Sequence, residues 1–284
     1  MRQILLAAIL ALVPSVFGEP PYERMRDAIR EGRIDDAVAF GELAVKREPG
    51  RSAVHYWLGR VYAQKAQEVS LLRKFGWAKK CRIAFEKAVE LDPSNSDAGL
   101  DLIQFYLIAP GMAGGGIEKA RALAPRIDAP ESSRRILAGA LLLQGEGKGI
   151  EAEAAFRKAL EKAPADERNL TYFVTFLVAE KRFADAMETC RHILTLHPDV
   201  TGTHYQIGKV ASMGGQGLEE GLASLQKFLQ TQPKPIGPTW ADARYRKGLI
   251  LLKLGRSEEA RMEFQGALKL NPSHPGASKE FKKL

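Results

Sequence analysis

The chain has 284 residues, of which 45% are hydrophobic and 27% are charged, and its formal net charge at pH 7 is +8. Its two cysteines are too few for an exported fold stapled by disulfides, and beyond the N-terminal segment no stretch is long and apolar enough to span a bilayer. The length suffices for one large domain or a long repeat array.

Residues 1–18 have the composition of a secretory signal peptide. An arginine precedes the unbroken apolar run at 4–13, and Val16 and Gly18 are the small residues expected just before a cleavage point. The alternative is an uncleaved anchor, but the apolar run is shorter than the ~20 residues of a spanning helix and Pro14 ends it. The sequence predicts export to the periplasm, with secretion from the cell as the alternative.

The rest of the chain is repetitive. KAVELDP at 87–93 recurs as KALEKAP at 158–164 and as GALKLNP at 266–272. The spacing between such closing prolines is one or two periods of about 34 residues plus small insertions. They are Pro49, Pro93, Pro164, Pro198, Pro233 and Pro272. Because proline cannot continue a helix, each marks the end of a helix in a stacked array.

The last period, residues 241–274, carries the pattern most completely, with Gly248, Ala260, Phe264, Ala267 and Pro272 at its signature positions. This pattern resembles the tetratricopeptide repeat, W-x2-L-G-x2-Y…A-x3-F…P. The resemblance implies two antiparallel helices, A and B, in each unit and a right-handed superhelix of units. Small residues such as Gly248 let the two helices approach closely, and Phe264 fills the space between units.

Partial copies of this signature predict an all-α solenoid of about seven helix pairs that forms one domain over residues 19–284. The approximate units are 20–51, 52–95, 96–129, 130–166, 167–200, 201–235 and 241–274, with a short C-terminal cap at 275–284. Gly139 is one of the signature residues assigned to the fourth unit. Cys81 and Cys190 fall on apolar helix faces, which predicts buried free thiols rather than a bridge.

The glycine-rich segment APGMAGGGIEKA at 109–120 invites comparison with a phosphate-binding loop. Such a loop needs a preceding strand and a Lys-Ser or Lys-Thr after its last glycine, whereas here a helix precedes and Ile117 and Glu118 follow Gly116. The segment is therefore predicted to be an enlarged turn between helices A and B of the third unit. It resembles segments of a group of exported bacterial tetratricopeptide proteins.

The second unit contains about ten extra residues, which form the basic and aromatic segment SLLRKFGWAKKCR at 70–82. Its candidate contacts with an anionic surface are Arg73, Lys74, Trp77, Lys79 and Lys80. The alternative is an extended helix pair whose aromatic residues pack inward and whose cations stay solvated. Because an exported chain seldom meets nucleic acid, the predicted target is anionic lipid or an acidic protein.

The resemblance also implies a binding groove, because the concave surface of similar proteins is lined by positions 2, 5, 9 and 12 of each helix A. Positions 5 and 9 supply the predicted partner-binding residues Tyr56, Arg60, Gln104, Thr171, Thr175, Tyr205, Lys209 and Tyr245. The family's chaperone-tail binders clamp a terminal carboxylate with lysine and asparagine, and this sequence departs from that pattern. Tyrosines with Arg60 and Lys209 suit a bound peptide. The alternative is that some tyrosines pack between units.

Catalytic and metal-binding patterns are sparse. The five histidines lack metal-ligand spacing, and the S-x-x-K match at Ser224–Lys227 has none of its companion motifs. We therefore predict no catalytic residue, metal or cofactor. The leading prediction is a non-enzymatic adaptor of the bacterial cell envelope that binds a protein or peptide in its concave groove. An anchoring module that uses residues 70–82 and an enzyme on a helical-repeat scaffold remain as alternatives.

Overall fold

The structure is a computed structural model that describes residues 21–129, 132–231 and 237–284. The predicted signal peptide lies outside the described residues. All regular structure in these three ranges is helical, with fifteen α-helices and two short 3₁₀ turns, which confirms the all-α prediction. None of the helices in these ranges is both long and apolar enough to cross a membrane.

Fourteen of the helices form seven consecutive pairs, and each pair packs on the next. The pairs are α1 Pro21–Arg30 with α2 Ile34–Arg47, α3 Ser52–Glu68 with α4 Leu71–Leu91, α5 Ser96–Ile108 with α6 Ile117–Leu123, α7 Ser133–Gly145 with α8 Gly149–Lys162, α9 Glu167–Ala179 with α10 Phe183–Leu196, α11 Gly202–Gly214 with α12 Leu218–Leu229, and α13 Trp240–Lys253 with α14 Ser257–Leu270. The fifteenth helix, α15 Pro275–Phe281, packs on α14. The 3₁₀ turns are Gly111–Ala113 and Ala124–Arg126.

Within a pair, a small residue on the first helix faces a large residue on the second. A Cβ atom at Gly248 would lie 2.5 Å from the Phe264 ring, and one at Gly59 would lie 2.6 Å from the Phe85 ring. The two phenylalanines are buried. The close approach expected at Gly248 is therefore present, and it brings the helix backbones together over an aromatic ring.

In the fourth pair, the small residue at the position of close approach is Ala140 rather than the predicted Gly139. Gly139 is half-exposed, and a Cβ atom there would meet no other atom within 4 Å. The fully buried Ala140 instead precedes Phe156 by sixteen residues, the spacing that separates Gly248 from Phe264. Gly139 is therefore not at the close approach of α7 and α8.

The glycine-rich segment forms a compact turn between α5 and α6. The Gly116 N–H donates to the Tyr106 carbonyl oxygen at 2.8 Å, Gly114 has φ +91°, and a Cβ atom at Gly115 would collide with the Ala109 carbonyl. These geometries require glycine. The turn packs on α4, where Gly114 lies against the Arg82 side chain.

A hydrogen bond recurs between successive pairs. The Tyr62 hydroxyl donates to the Glu42 carboxylate at 2.9 Å, and the Tyr106 hydroxyl, one pair later, donates to Glu86 at 2.8 Å. Apolar contacts continue along the same path, in one core that extends from the first pair to the seventh. Cys81 and Cys190 belong to this core as buried free thiols, as predicted.

The array curls far enough for its two ends to meet. A Cβ atom at Gly32, in the turn between α1 and α2, would lie 3.2 Å from the Leu270 carbonyl oxygen and 3.3 Å from the Asn271 Cβ. Glu68, the last residue of α3, lines the same pocket as Gly32 and Ser273. We call this meeting of the first two pairs with the seventh the closure.

Candidate functional site

The first helices of the second, third and fifth pairs face one another across the inside of the curl. Arg168 of α9 donates from Nη2 to the Tyr56 hydroxyl at 2.6 Å and from Nη1 to Asp101 Oδ1 at 3.1 Å. Arg60 of α3 reaches Asp101 Oδ2 at 3.3 Å. On the same side, the Tyr172 hydroxyl donates to Gln104 Oε1 at 3.2 Å. We call this surface, which α11 and α13 continue, the inner face.

Burial and charge fix the protonation of this cluster. Burial, together with the Asp101 carboxylate, raises the pKa of Tyr56 to about 12. Burial opposes the positive charge of Arg168, but Asp101 and Tyr56 raise the pKa of this guanidinium above its ordinary value. A neutral phenol and a permanent ion pair therefore hold the three helices together.

Tyr56 is consequently not a free contact of the groove. Its side chain is 4% exposed, and its hydroxyl accepts hydrogen bonds from Arg60 and Arg168. The structure thus brings the predicted residues Tyr56, Arg60 and Gln104 together, and the part of the inner face beside Tyr56 is filled by protein side chains.

A cleft of about 490 Å³ opens beside this cluster, between α3, α5 and the start of α13. From α3 it is lined by Arg60, Gln64 and Gln67, which share one helix face because they are four and three residues apart. Its other polar lining residues are Arg30, Asp101, Gln104, Thr239 and Asp242. Within the described ranges, the amides of Gln64 and Gln67 form no hydrogen bond.

The fifth, sixth and seventh pairs make the other half of the inner face. The amide of Gln206 donates to the Thr171 hydroxyl at 3.0 Å, and the Lys209 ammonium donates to the Thr175 hydroxyl at 3.1 Å. Burial and the neighbouring Arg246 guanidinium lower the pKa of Lys209. Neither Lys209 nor Arg246 forms an ion pair with a carboxylate of the described residues, so this half of the inner face favours an anionic group.

Two predicted groove tyrosines pack inward. Tyr205 is 9% exposed, its ring centre lies 5.5 Å from that of Phe228, and burial raises its pKa to about 12. The Tyr245 ring centre lies 6.1 Å from that of Phe264 and 4.9 Å from that of His274. These packing contacts correspond to the alternative that the sequence left open for the tyrosines.

The structure adds inner-face residues that were not predicted. Gln206 and Arg246 directly follow Tyr205 and Tyr245, and each has one buried polar atom, Oε1 and Nε, without a partner in the described part of the chain. Gln64 and Gln67 lie beyond position 9, on the part of α3 that the insertion lengthens. The signal that could have found Gln206 and Arg246 is their adjacency to position 5.

No group of three or more His, Cys, Asp or Glu residues in the described ranges could hold a metal ion. His274 has a structural role at the start of α15, where Nδ1 accepts from the Ala277 N–H at 3.0 Å and Nε2 lies 3.3 Å from Asp242. Ser224 is buried, and the adjacent Leu225 packs against Gly208. The S-x-x-K match thus lies at a packing contact.

The basic segment 70–82 occupies the loop before α4 and the first turns of that helix. Trp77 packs inward on Tyr62 at 5.6 Å between ring centres, and Lys80 lies 4.7 Å above the Trp77 ring and 3.1 Å from Glu42. The other candidate contacts, Arg73, Lys74 and Lys79, are exposed and form no ion pair with the described residues. The segment therefore has an inward aromatic side and a solvated cationic side.

Comparisons with known proteins agree with this architecture. The tetratricopeptide repeat family model matches residues 69–95 and 241–274. A tetratricopeptide repeat protein from Parabacteroides merdae ATCC 43184 is similar with a TM-score of 0.52 and 17% identity, over 92% of this chain and 96% of that one. The family match supports tetratricopeptide repeats at these two places, and the structural likeness supports a helical solenoid.

Two further solved structures are less similar. YrrB, described as a TPR protein with an unusual peptide-binding site, has a TM-score of 0.45 and 20% identity over 71% of this chain and 98% of its own. The Cut9–Hcn1 hetero-tetramer of the APC/C has a TM-score of 0.48 and 15% sequence identity, over 98% of this chain and 51% of the matched chain. No curated protein matches the sequence.

Proposed function

We propose that this protein is a non-enzymatic scaffold of the bacterial cell envelope that binds an extended segment of a partner protein in the cleft of its inner face. The observation that carries the proposal is the cleft of about 490 Å³ with the free amides of Gln64 and Gln67 along one side. A side-chain amide offers both a donor and an acceptor, as a peptide backbone does. An extended chain is therefore the ligand that these amides complement.

The surroundings of the cleft indicate the character of that segment. Arg60 and Asp101 neutralise each other, and Ile108, 74% exposed, offers an apolar contact at the rim. Arg246 lies one helical turn after the cleft residue Asp242 and close to Lys209. The bound segment is thus expected to place an apolar side chain near Ile108 and an acidic group near the two cations.

The cellular setting belongs to the same proposal. The apolar run and small residues of positions 1–18 support export, with the periplasm as the destination and secretion as the alternative. The tetratricopeptide match supports a scaffold that presents a preformed surface and performs no chemistry.

The test selects ligands from a library of random twelve-residue peptides displayed on phage and measures the selected peptides by fluorescence anisotropy. The double substitution Gln64→Ala, Gln67→Ala is expected to weaken binding about tenfold, because it removes two hydrogen bonds of roughly 0.5–1.5 kcal/mol each. Gln265→Ala, an exposed glutamine on α14, is the matched control and is expected to bind as the parent does.

Two results would contradict the proposal. One is a failure of the folded protein to select any peptide sequence. The other is a set of selected peptides whose affinity is the same for the parent, the double variant and the control, since the ligand site would then lie outside the cleft.

A further inference from the structure

The outward face of α4 carries an uncovered apolar stripe. Leu72 is 90% exposed, Phe75 38% and Ile83 49%, and they lie three and eight residues apart, on one side of the helix. Lys79 falls on the same side between the last two. The stripe extends over about 16 Å of helix, on the face opposite Cys81 and away from Trp77, which pack against the body of the protein.

From Ser70 to Arg82, the charged residues around this stripe have one sign, and the first acidic residue of α4, Glu86, comes one turn after Ile83. Between Ser70 and Arg82 the sequence contains no aspartate or glutamate, and Arg73, Lys74 and Lys79 are exposed. Of the five cations in this segment, Lys80 is bound by Glu42 and Arg82 by Glu86, which leaves the other three without an ion-pair partner in the described part of the chain. The surface that covers the stripe must therefore be anionic and must also accept apolar side chains.

We propose that the first turns of α4 dock the protein onto an anionic lipid bilayer. An exposed helix with an apolar stripe flanked by cations lies in the interface of a bilayer, where Leu72, Phe75 and Ile83 enter the acyl boundary and the cations meet lipid phosphates. A nucleic-acid backbone would satisfy the cations but would leave Leu72 in water. A bilayer accommodates both the apolar side chains and the cations of this surface.

This contact leaves the inner face open. The docking residues lie on the second helix of their pair, whereas the cleft is lined mainly by first helices such as α3 and α5. A protein held on a membrane by α4 could therefore still bind a partner segment in the cleft.

The test is sedimentation of the full chain with sucrose-loaded vesicles of phosphatidylcholine alone or with one quarter phosphatidylglycerol. Binding is expected only with phosphatidylglycerol and is expected to weaken with salt. The triple substitution Arg73→Gln, Lys74→Gln, Lys79→Gln should lower the affinity about a hundredfold, because each basic residue near an anionic surface contributes about fivefold. Leu72→Gln, Phe75→Gln should lower it about tenfold at unchanged charge.

Matched controls separate docking by α4 from nonspecific binding to vesicles. Ile150→Gln, Met262→Gln removes two other exposed apolar side chains, 86% and 63% exposed, and Lys158→Gln, Lys162→Gln removes two exposed cations of α8. These variants should bind within about twofold of the parent apart from a small effect of net charge. Equal binding to both vesicle types, no binding to either, or unchanged binding of the α4 variants would each overturn the proposal.

Discussion

Arg168 is the residue that sets the shape of the inner face. From α9 it reaches Tyr56 in α3 and Asp101 in α5, which are 112 and 67 residues away in sequence. Burying a guanidinium is costly unless carboxylate and hydroxyl partners satisfy it, and here both are present. The three helix pairs are therefore joined by side-chain chemistry in addition to apolar packing.

We expect Arg168→Met to lower the free energy of unfolding by about 2–3 kcal/mol. The change keeps the side-chain volume but leaves the Tyr56 hydroxyl and the Asp101 carboxylate without their main partner, and the loss is moderated because Asp101 keeps Arg60. Urea denaturation followed by circular dichroism measures this change in the free energy of unfolding. Arg191→Met, which breaks the exposed pair with Glu220, should cost only about 0.5 kcal/mol. Equal costs for the two variants would contradict this role.

The sequence contained a usable signal for Arg168 that the groove prediction did not follow. Arg168 occupies position 2 of its unit, a position implied to line the concave surface, as Asp97 and Asp242 do in theirs. Arg134 does so once the fourth unit is shifted by one residue to place Ala140 rather than Gly139 at the close approach. Arg134 and Arg168 both lie 3.4 Å from Asp97. The partners of Tyr56 could not be predicted from spacing, because they depend on how tightly the array curls.

At the scale of the helix pair, the sequence predicted more because the determinants are local. Closing prolines fall in six of the seven predicted units and the small-to-large contact recurs in several pairs, so most pairs could be located without knowledge of distant contacts. The misplaced signature at Gly139 shows the limit of this approach. A one-residue shift in register turns a predicted contact residue toward solvent, and only packing against α8 distinguishes Gly139 from Ala140.

Gly248→Ala and Gly139→Ala make a matched test of that contact. At Gly248 a new Cβ would lie 2.5–2.9 Å from three atoms of Phe264, so overpacking should cost about 1–3 kcal/mol and exceed the gain in helix propensity. At Gly139 a new Cβ meets nothing within 4 Å, so alanine should stabilise the protein by about 0.5–1 kcal/mol. Urea denaturation of both variants should give opposite signs, and the same sign for both would refute the assignment.

At the scale of the whole molecule, the closure depends on rotations that accumulate over seven pairs. No local motif near Gly32 or Ser273 indicates that these two turns meet, because a small change in the angle at each pair would separate the ends. The closure brings Thr239 and Asp242 to the cleft otherwise formed mainly by α3 and α5, with a few residues of α1 and α4. Sequence analysis could therefore predict helices and a concave face, but not a cleft with a wall from the seventh pair.

Glu68 makes the stability of the closed form depend on pH. Its side chain is 8% exposed, and burial raises its pKa above the ordinary value of 4.5 in spite of the neighbouring Ser273 hydroxyl and Lys65 ammonium, while Asp35 adds to the increase. The folded state thus binds this proton more tightly than the unfolded state does. Its contribution to stability is complete below pH 4.5 and is lost as the pH rises through the raised pKa.

The substitution Glu68→Gln removes this pH-dependent loss of stability while it keeps the shape of the side chain. We expect parent and variant to have similar free energies of unfolding at pH 4.5 and the variant to be the more stable at pH 8, as measured by urea denaturation at both pH values. Glu161→Gln, at an exposed position of α8, should show no such divergence. If Glu68→Gln were instead the less stable at pH 8, the ion pair with Lys65 would outweigh burial, and the closure would tighten with rising pH.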